Sequence, residues 1–120
     1  MGPDVVYAIC RIAKEYKSPA SNRSMLALLQ ESGYSRENPP SEAEIAACLR
    51  LHTDLVESWL LDSVDKRASS GWYFKALSTG SDEWIVAHYP ADHQHIFKDR
   101  FAACAFYIAR FFEEVGPHIP

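Results

Sequence analysis

The chain has 120 residues, 48% of them apolar and 23% charged, with a formal net charge of −4. This length suits one domain around a single hydrophobic core, and the composition argues against disordered, collagen-like and coiled-coil chains. No apolar run approaches the roughly 18 residues of a membrane-spanning helix, and residues 1–4 lack the features of a signal peptide. Three cysteines lie far apart among apolar neighbours, which predicts buried thiols rather than a disulfide framework or a zinc site: Cys10, Cys48 and Cys104. Buried thiols suit a reducing compartment, so we expect a cytoplasmic protein.

Apolar residues at helical spacing predict two helices before residue 40. The first covers about four turns and ends before Pro19, and its buried stripe consists of Val5, Ile9, Ile12 and Tyr16. The second begins near Asn22 or Ser24 and stops at Gly33. It buries Met25, Leu28 and Leu29. Two consecutive prolines then exclude helix, so we expect a loop over residues 34–40.

Two further helices are predicted between residues 41 and 65. Ser41 and Glu44 have the spacing of a capping box, in which each side chain accepts a hydrogen bond from the other residue's backbone N–H. This third helix buries Ile45, Cys48 and Leu49. Thr53 caps a fourth helix, and the helix dipole favours Asp54 in its first turn. The buried stripe of the fourth helix consists of Val56, Trp59, Leu60 and Val64.

The second half of the chain changes to strand periodicity. Residues 71–77 and 83–89 are rich in aromatic and branched side chains and flank a five-residue loop, which predicts a β-hairpin. Residues 95–98 form either a third strand or part of a continuous helix from Asp92. Asp99 caps the last helix, whose apolar stripe consists of Phe101, Ala105, Ile108, Phe112 and Val115. We therefore predict a single α+β domain, in which four helices precede a small antiparallel sheet and a C-terminal helix packs on that sheet.

The net charge is concentrated in residues 41–65. That stretch holds six acidic residues and one arginine and totals −5, whereas residues 1–40 total +1 and residues 66–120 total zero. Two helices followed by a hairpin have the element order of a winged-helix DNA-binding protein. Nucleic-acid affinity, however, comes mostly from lysine and arginine, and the exposed positions of the second helix are acidic: Asp54, Glu57, Asp62 and Asp65. A docking surface for a basic partner and an ordinary solvated helix face remain as interpretations.

The densest local signature follows this acidic stretch. Lys66 and Arg67 precede two serines, a glycine and then three consecutive aromatic residues: Trp72, Tyr73 and Phe74. Because successive strand residues point to opposite faces, the first and third rings share one face and the second lies on the other. A sheet covered by helices on one side cannot bury all three rings. Trp72 or Tyr73 is therefore a candidate binding anchor, and the alternative is that all three rings fill the core and its margin.

No residue pattern identifies a catalytic or cofactor site. Ser69 and Ser70 lack a nucleophile elbow, the carboxylates show no paired acid and base, and the glycines form no phosphate loop. His93 and His95 would point the same way from an extended segment, with His88 near in sequence. No convincing companion ligands accompany them. We therefore expect a protein that is not an enzyme and holds no metal or cofactor.

Taken together, these features resemble the small cytoplasmic immunity proteins of bacterial polymorphic toxin systems, including contact-dependent growth inhibition systems. The resemblance rests on one small acidic α+β domain without a catalytic motif, on residues 66–74, and on the C-terminal run of residues 97–105. It implies tight binding to a cognate toxin domain, most often a nuclease, with the toxin's active site blocked or covered. Immunity proteins have many folds, so no residue positions carry over.

On this interpretation the acidic side of the fourth helix meets a basic toxin. We expect Glu57, Asp62 and Asp65 to be exposed on one side of that helix and to supply charge. The full set of candidate partner-binding residues is Glu57, Asp62, Asp65, Lys66, Arg67, Trp72 and Tyr73. A winged-helix transcriptional regulator is the alternative function, and a small metal-dependent or hydrolytic enzyme is the third.

Overall fold

A computed structural model describes residues 3–17, 24–64, 72–76, 82–88, 93–115 and 117, and the structural statements below refer to these residues. The helices among them are α1 (Pro3–Cys10), α2 (Ile12–Lys17), α3 (Met25–Glu31), α4 (Glu42–Leu51), α5 (Asp54–Val64) and α6 (Arg100–Val115). The strands are β1 (Trp72–Ala76), β2 (Trp84–His88) and β3 (His93–Phe97). The α+β class is confirmed, with a three-stranded antiparallel sheet on which the C-terminal helix packs.

The first predicted helix is divided in two at Arg11, so the prediction of one continuous helix is wrong. Helical hydrogen bonds continue on both sides of the division, because the Arg11 N–H donates to the Tyr7 carbonyl and the Arg11 carbonyl accepts from the Glu15 N–H. At the same point the indole N–H of Trp59 donates to the Cys10 carbonyl at 2.8 Å. A side chain that enters the helical ladder in this way is a known cause of a helix kink.

The predicted stripe of this N-terminal region is partly correct. Ile9 and Ile12 are buried and Val5 is half-buried, but Tyr16 is exposed. The shift follows from the division at Arg11, since two short helices do not keep one continuous stripe. The buried set therefore also includes Val6, Cys10 and Ala13.

Local end signals predicted several helix boundaries correctly. Ser24 caps α3 and accepts a hydrogen bond from the Ala27 N–H at 3.1 Å. The capping box at the start of α4 is confirmed, with the hydrogen bonds between Ser41 and Glu44 at 3.0 and 3.1 Å. Gly33 follows α3 with a φ of 92°, a left-handed conformation that favours glycine at a helix end.

The sheet has the order β1-β2-β3 with antiparallel pairing throughout. The third segment is therefore a strand, and α6 begins only at Arg100, which excludes the alternative of a continuous helix before it. Alternate residues on one face of the sheet pack towards α6 and the main core: Trp72, Phe74, Trp84, Val86 and Phe97. The opposite face carries Tyr73, Lys75, Ile85, Ala87 and Ile96.

A buried serine joins α5 to β1. The Ser63 hydroxyl accepts a hydrogen bond from the Phe74 N–H at 2.6 Å, and both residues are buried. In an antiparallel ladder, residues alternate between facing their partner strand and facing away from it. The Phe74 N–H faces away from β2, and Ser63 supplies the acceptor that an edge strand otherwise lacks. The helix therefore covers the outer edge of β1.

The three cysteines, distant in sequence, lie on α1, α4 and α6 in the same part of the core. Burial raises the pKa of the Cys10 thiol far above its usual range, and a hydrogen bond with Cys48 adds to that shift. Burial likewise raises the pKa of Cys48 and Cys104. Cys10 and Cys104 are buried as predicted, whereas Cys48 is only half-buried. All three are free thiols that stay protonated near neutral pH.

Asp99 links the N-terminus of α6 to α4. Its carboxylate accepts a hydrogen bond from the Phe101 N–H at 2.9 Å, as predicted for a helix cap, and also pairs with Arg50. Partial burial alone would raise the pKa of Asp99. The hydrogen bonds from Arg50 and from the backbone of Phe101 and Ala102 outweigh burial, so the pKa of Asp99 lies below its usual value.

We expect the Ser63→Ala variant to lose about 1–3 kcal/mol of unfolding free energy, because the buried Phe74 N–H would lose its acceptor. Urea unfolding followed by circular dichroism measures this loss. Ser58→Ala, a half-buried serine of the same helix, is the matched control and should change stability by no more than about 0.5 kcal/mol. Equal losses in both variants would contradict a structural role for the Ser63 hydroxyl.

A second pair of variants separates the charge of Asp99 from its capping function. Asp99→Asn keeps a good cap and removes the charge, whereas Asp99→Ala should cost about 1 kcal/mol more because it removes both. The pKa of Asp99 in the folded protein lies below its ordinary value of 3.8. The charge of Asp99 therefore stabilises the protein fully above pH 3.8, and this contribution is lost as the pH falls through the folded-state pKa. Urea unfolding should therefore show the wild type and Asp99→Asn converging at acidic pH. A constant difference across the pH range would contradict the assignment.

Candidate functional site

The exposed side of α5 carries carboxylates beside an apolar side chain. Asp54, Glu57 and Leu61 occur at positions i, i+3 and i+7, which places them on one side of a helix with about 3.6 residues per turn. All three are exposed, and Leu61 has 62% of its surface open to solvent. Asp54 pairs with Lys14 of α2 at 3.3 Å, whereas Glu57 forms no ion pair within the described ranges. An exposed leucine thus lies next to a carboxylate that has no ion-pair partner among the described residues.

The orientation of this side is fixed by the opposite side of the helix. Leu55, Val56 and Trp59 are buried, and α5 packs against α2, β1 and α6. The Trp59 ring lies 6.1 Å from the Tyr107 ring and 5.6 Å from the Phe111 ring, measured between centroids. Because this packing fixes the buried side of α5, the exposed side of the helix faces solvent in one defined orientation.

The predicted charged residues are only partly described. Glu57 is exposed, as expected. Asp62 follows it by five residues, which puts the two backbone positions about 140° apart around the helix axis. Leu61 is closer in angle to Glu57 than to Asp62. The side chain of Asp62 lies outside the described part of the structure, as do Asp65, Lys66 and Arg67.

The two candidate anchors of β1 lie on opposite faces of the sheet. Trp72 and Tyr73 are both half-buried, and Phe74 beside them is completely buried. The Lys75 ammonium lies 5.5 Å from the centre of the Tyr73 ring, so these two side chains lie on the face away from α6. Three consecutive rings are therefore not all buried, and the two that keep solvent contact are the predicted anchors.

Trp72 also belongs to a group of rings around Arg110 of α6. The guanidinium carbon lies 4.2 Å from the centre of the Phe106 ring and 5.9 Å from that of Trp72. The His88 ring is 5.1 Å from Trp72, and the His95 ring is 4.5 Å from Phe106. Four elements contribute to this group, which we call the Arg110 cluster: Trp72, His88, His95, Phe106 and Arg110.

Sequence reasoning missed the Arg110 cluster. Its members are scattered over residues 72–110, and their proximity depends on sheet register and on the packing of α6. A signal was nevertheless present, since Arg110 directly precedes two phenylalanines in the helix that carries a long apolar stripe, Phe111 and Phe112. A charged side chain in such a position calls for a specific partner.

The helix arrangement also bears on DNA binding. The order of α4, α5 and the β1–β2 hairpin agrees with that of a winged helix, but α4 packs chiefly on α1 and α6 while α5 packs on α2, β1 and α6. The exposed side of α5, which would enter the major groove, carries Asp54 and Glu57. These carboxylates would face phosphate groups and oppose binding.

The histidines and the surface cavities do not identify a catalytic centre. Register places His88 opposite His93, but the described part of the chain contains no group of three or more possible metal ligands; the side chain of His93 is not described. A surface cavity of about 150 Å³ is lined in part by Arg11, Glu15 and Glu31. Sites for small molecules usually enclose roughly 300–1,000 Å³.

Comparisons with protein-family models, with curated proteins and with solved structures find no match to this chain. In the described ranges, no helix is both long enough and apolar enough to cross a bilayer. The acidic side of α5 and the Arg110 cluster are therefore the observations from which a function is inferred.

Proposed function

We propose that this protein is an immunity protein that binds a cognate bacterial toxin domain and neutralises it through the acidic side of α5. Leu61, with 62% of its surface exposed, is the observation that supports this proposal most. An apolar side chain gains free energy when a partner removes it from water, and the neighbouring Glu57 carboxylate attracts a basic partner. The two side chains together give this surface both apolar area and charge.

A nuclease domain is the partner that fits this surface best, because nucleases bind phosphate groups in basic clefts. Carboxylates of α5 would lie in such a cleft where the phosphates of the substrate otherwise bind. Long-range attraction between opposite charges would raise the association rate and disfavour acidic proteins. As an immunity protein it would act in the cytoplasm, where a nuclease toxin meets nucleic acid.

Aromatic contact area would come from β1. The Ser63–Phe74 hydrogen bond joins this strand to α5, so its half-buried rings belong to the neighbourhood of the acidic helix. Trp72 or Tyr73 would add a rigid ring with a polar atom, which is the kind of side chain enriched at binding hot spots. Asp62, Asp65, Lys66 and Arg67 remain predicted members of the interface.

Charge reversal tests the electrostatic part of the proposal. We expect Glu57→Lys combined with Asp62→Lys to weaken toxin binding by about tenfold or more at low salt, mainly through slower association. Screening should reduce this effect at high salt. Leu61→Ala should instead accelerate dissociation, because it removes contact area rather than charge. Surface plasmon resonance at two salt concentrations separates these effects.

Glu37→Lys is the matched control, since Glu37 is exposed and lies outside residues 41–65. It should leave both rates nearly unchanged. The first toxin to test is a variable C-terminal domain of a large secreted protein encoded beside this gene. Unchanged kinetics in the charge-reversed variant would contradict the role of the α5 surface, and failure to bind or neutralise that toxin domain would contradict the function itself.

A winged-helix transcriptional regulator is the second candidate, favoured by the order of α4, α5 and the β1–β2 hairpin. This function requires DNA affinity that falls steeply as salt increases. A gel-shift assay at low ionic strength tests it, and binding with a steep salt dependence would favour this candidate over the immunity function. The exposed carboxylates of α5 lead us to expect no shift.

A further inference from the structure

We propose that the Arg110 cluster is a binding site for a small oxyanion, namely the phosphate or carboxylate group of a ligand. The site is built from α6 and the three strands, whereas the acidic surface belongs to α5. The acidic surface offers carboxylates, whereas this site offers the hydrogen-bond donors of an arginine and two histidines. Trp72 is common to this site and to the proposed toxin interface, but the observations that support anion binding do not involve α5.

The guanidinium group of Arg110 is held in place before any ligand binds. Phe106 precedes it by four residues and therefore lies on the same side of α6, with the guanidinium carbon 4.2 Å from the centre of its ring. Trp72 approaches from β1, with its ring centre 5.9 Å away. Stacking on aromatic rings fixes a planar guanidinium and excludes part of its water. An anion therefore interacts more strongly with the positive charge, and fewer side-chain bonds of Arg110 lose rotational freedom on binding.

The hydrogen-bonding capacity of Arg110 is only partly used. The side chain is 20% exposed, and Nη2 lies 3.2 Å from the Glu113 carboxylate. Nε is buried and has no hydrogen-bond partner among the residues that the structure describes. A guanidinium has five N–H donors and suits the two oxygens of a carboxylate or phosphate. The guanidinium therefore has more N–H donors than its single contact with Glu113 uses, and its side chain keeps partial access to solvent.

The Glu113 side chain shows that the Arg110 guanidinium accepts a carboxylate as its partner. Its carboxylate is 60% exposed and pairs with Arg110 across one helical turn. Ion pairs within one helix that keep one partner in solvent contribute little to stability, so a ligand oxyanion could replace Glu113 at little cost. The imidazoles of His88 and His95 contact the rings of Trp72 and Phe106, respectively, which also lie against Arg110. They would supply further N–H donors near the bound anion.

Arg50 provides a matched control within the same chain. Its guanidinium carbon also lies near a phenylalanine, 5.8 Å from the centre of the Phe101 ring, and it also pairs with a carboxylate. That carboxylate belongs to Asp99, which the backbone of α6 holds in position and whose pKa is lowered. Arg50 therefore has a fixed partner, whereas Arg110 has an exposed and replaceable one.

Nitrogen-15 NMR of the arginine side chains tests the proposal on the intact protein. Sodium phosphate and sodium acetate are titrated separately at constant ionic strength, and the Nε–H signals of Arg110 and Arg50 are followed. We expect saturable shifts of the Arg110 signal with an affinity in the millimolar range, and little change at Arg50. The two titrations distinguish a preference for phosphate from one for carboxylate. Linear shifts without saturation, or equal shifts at both arginines, would overturn the proposal.

Two variants sharpen the test. Glu113→Gln removes the competing carboxylate and should tighten anion binding about two- to fivefold. Arg50→Gln should leave the affinity unchanged. In the wild type, the indole N–H signal of Trp72 should also shift as the anion binds, and Arg110→Gln should abolish that shift. The circular dichroism spectrum verifies that the variant is folded. An unchanged affinity in Glu113→Gln would contradict the site even if Arg110→Gln did not fold.

Discussion

The hydrogen bond from the Trp59 indole to the Cys10 carbonyl is the interaction on which the arrangement of helices depends most. Trp59 is completely buried, and its donor reaches a carbonyl 49 residues earlier at 2.8 Å. A buried indole N–H left unpaired would cost about 1–3 kcal/mol, so this contact fixes α5 against the end of α1. Ring contacts of Trp59 with Tyr107 and Phe111 bring α6 to the same point. The direction of the outer side of α5, and hence of Glu57 and Leu61, follows from how its inner side is held.

The same interaction explains which parts of the fold could be predicted from the sequence. Helix ends depend on side chains within three or four residues, and the capping box at Ser41 and the cap at Asp99 were both predicted correctly. The division at Arg11 has no local signal, and it coincides with a hydrogen bond from a side chain of α5. The link from Ser63 to Phe74 and the meeting of the cysteines likewise depend on packing between distant segments. Local side chains therefore determine where the helices begin and end, whereas contacts between distant residues determine how the helices and strands pack together.

The two candidate surfaces differ in the same way. The acidic side of α5 is visible in the sequence because its charges are contiguous along the chain and repeat at helical spacing. The Arg110 cluster joins residues of four elements, and periodicity within any one of them says nothing about the others. Strand alternation did correctly separate Tyr73 from Trp72, but only the sheet register and the position of α6 bring Trp72 next to Arg110. A charge run is thus a local property, whereas a mixed ring and cation cluster is a property of the fold.

Leu61 is what distinguishes the acidic side of α5 from an ordinary solvated face. Exposed apolar side chains occur singly on most proteins, and Leu51 is even more exposed, at 81%. Leu51, however, is the last residue of α4, where a helix end has fewer neighbours to cover it. Leu61 lies inside α5, on a backbone fixed by Trp59 on one side and by the Ser63 bond on another. An apolar side chain on so rigid a support loses little conformational entropy when a partner covers it. The physical basis for regarding the surface as a binding site is that combination of rigidity, apolar area and a Glu57 carboxylate without an ion-pair partner in the described part of the chain.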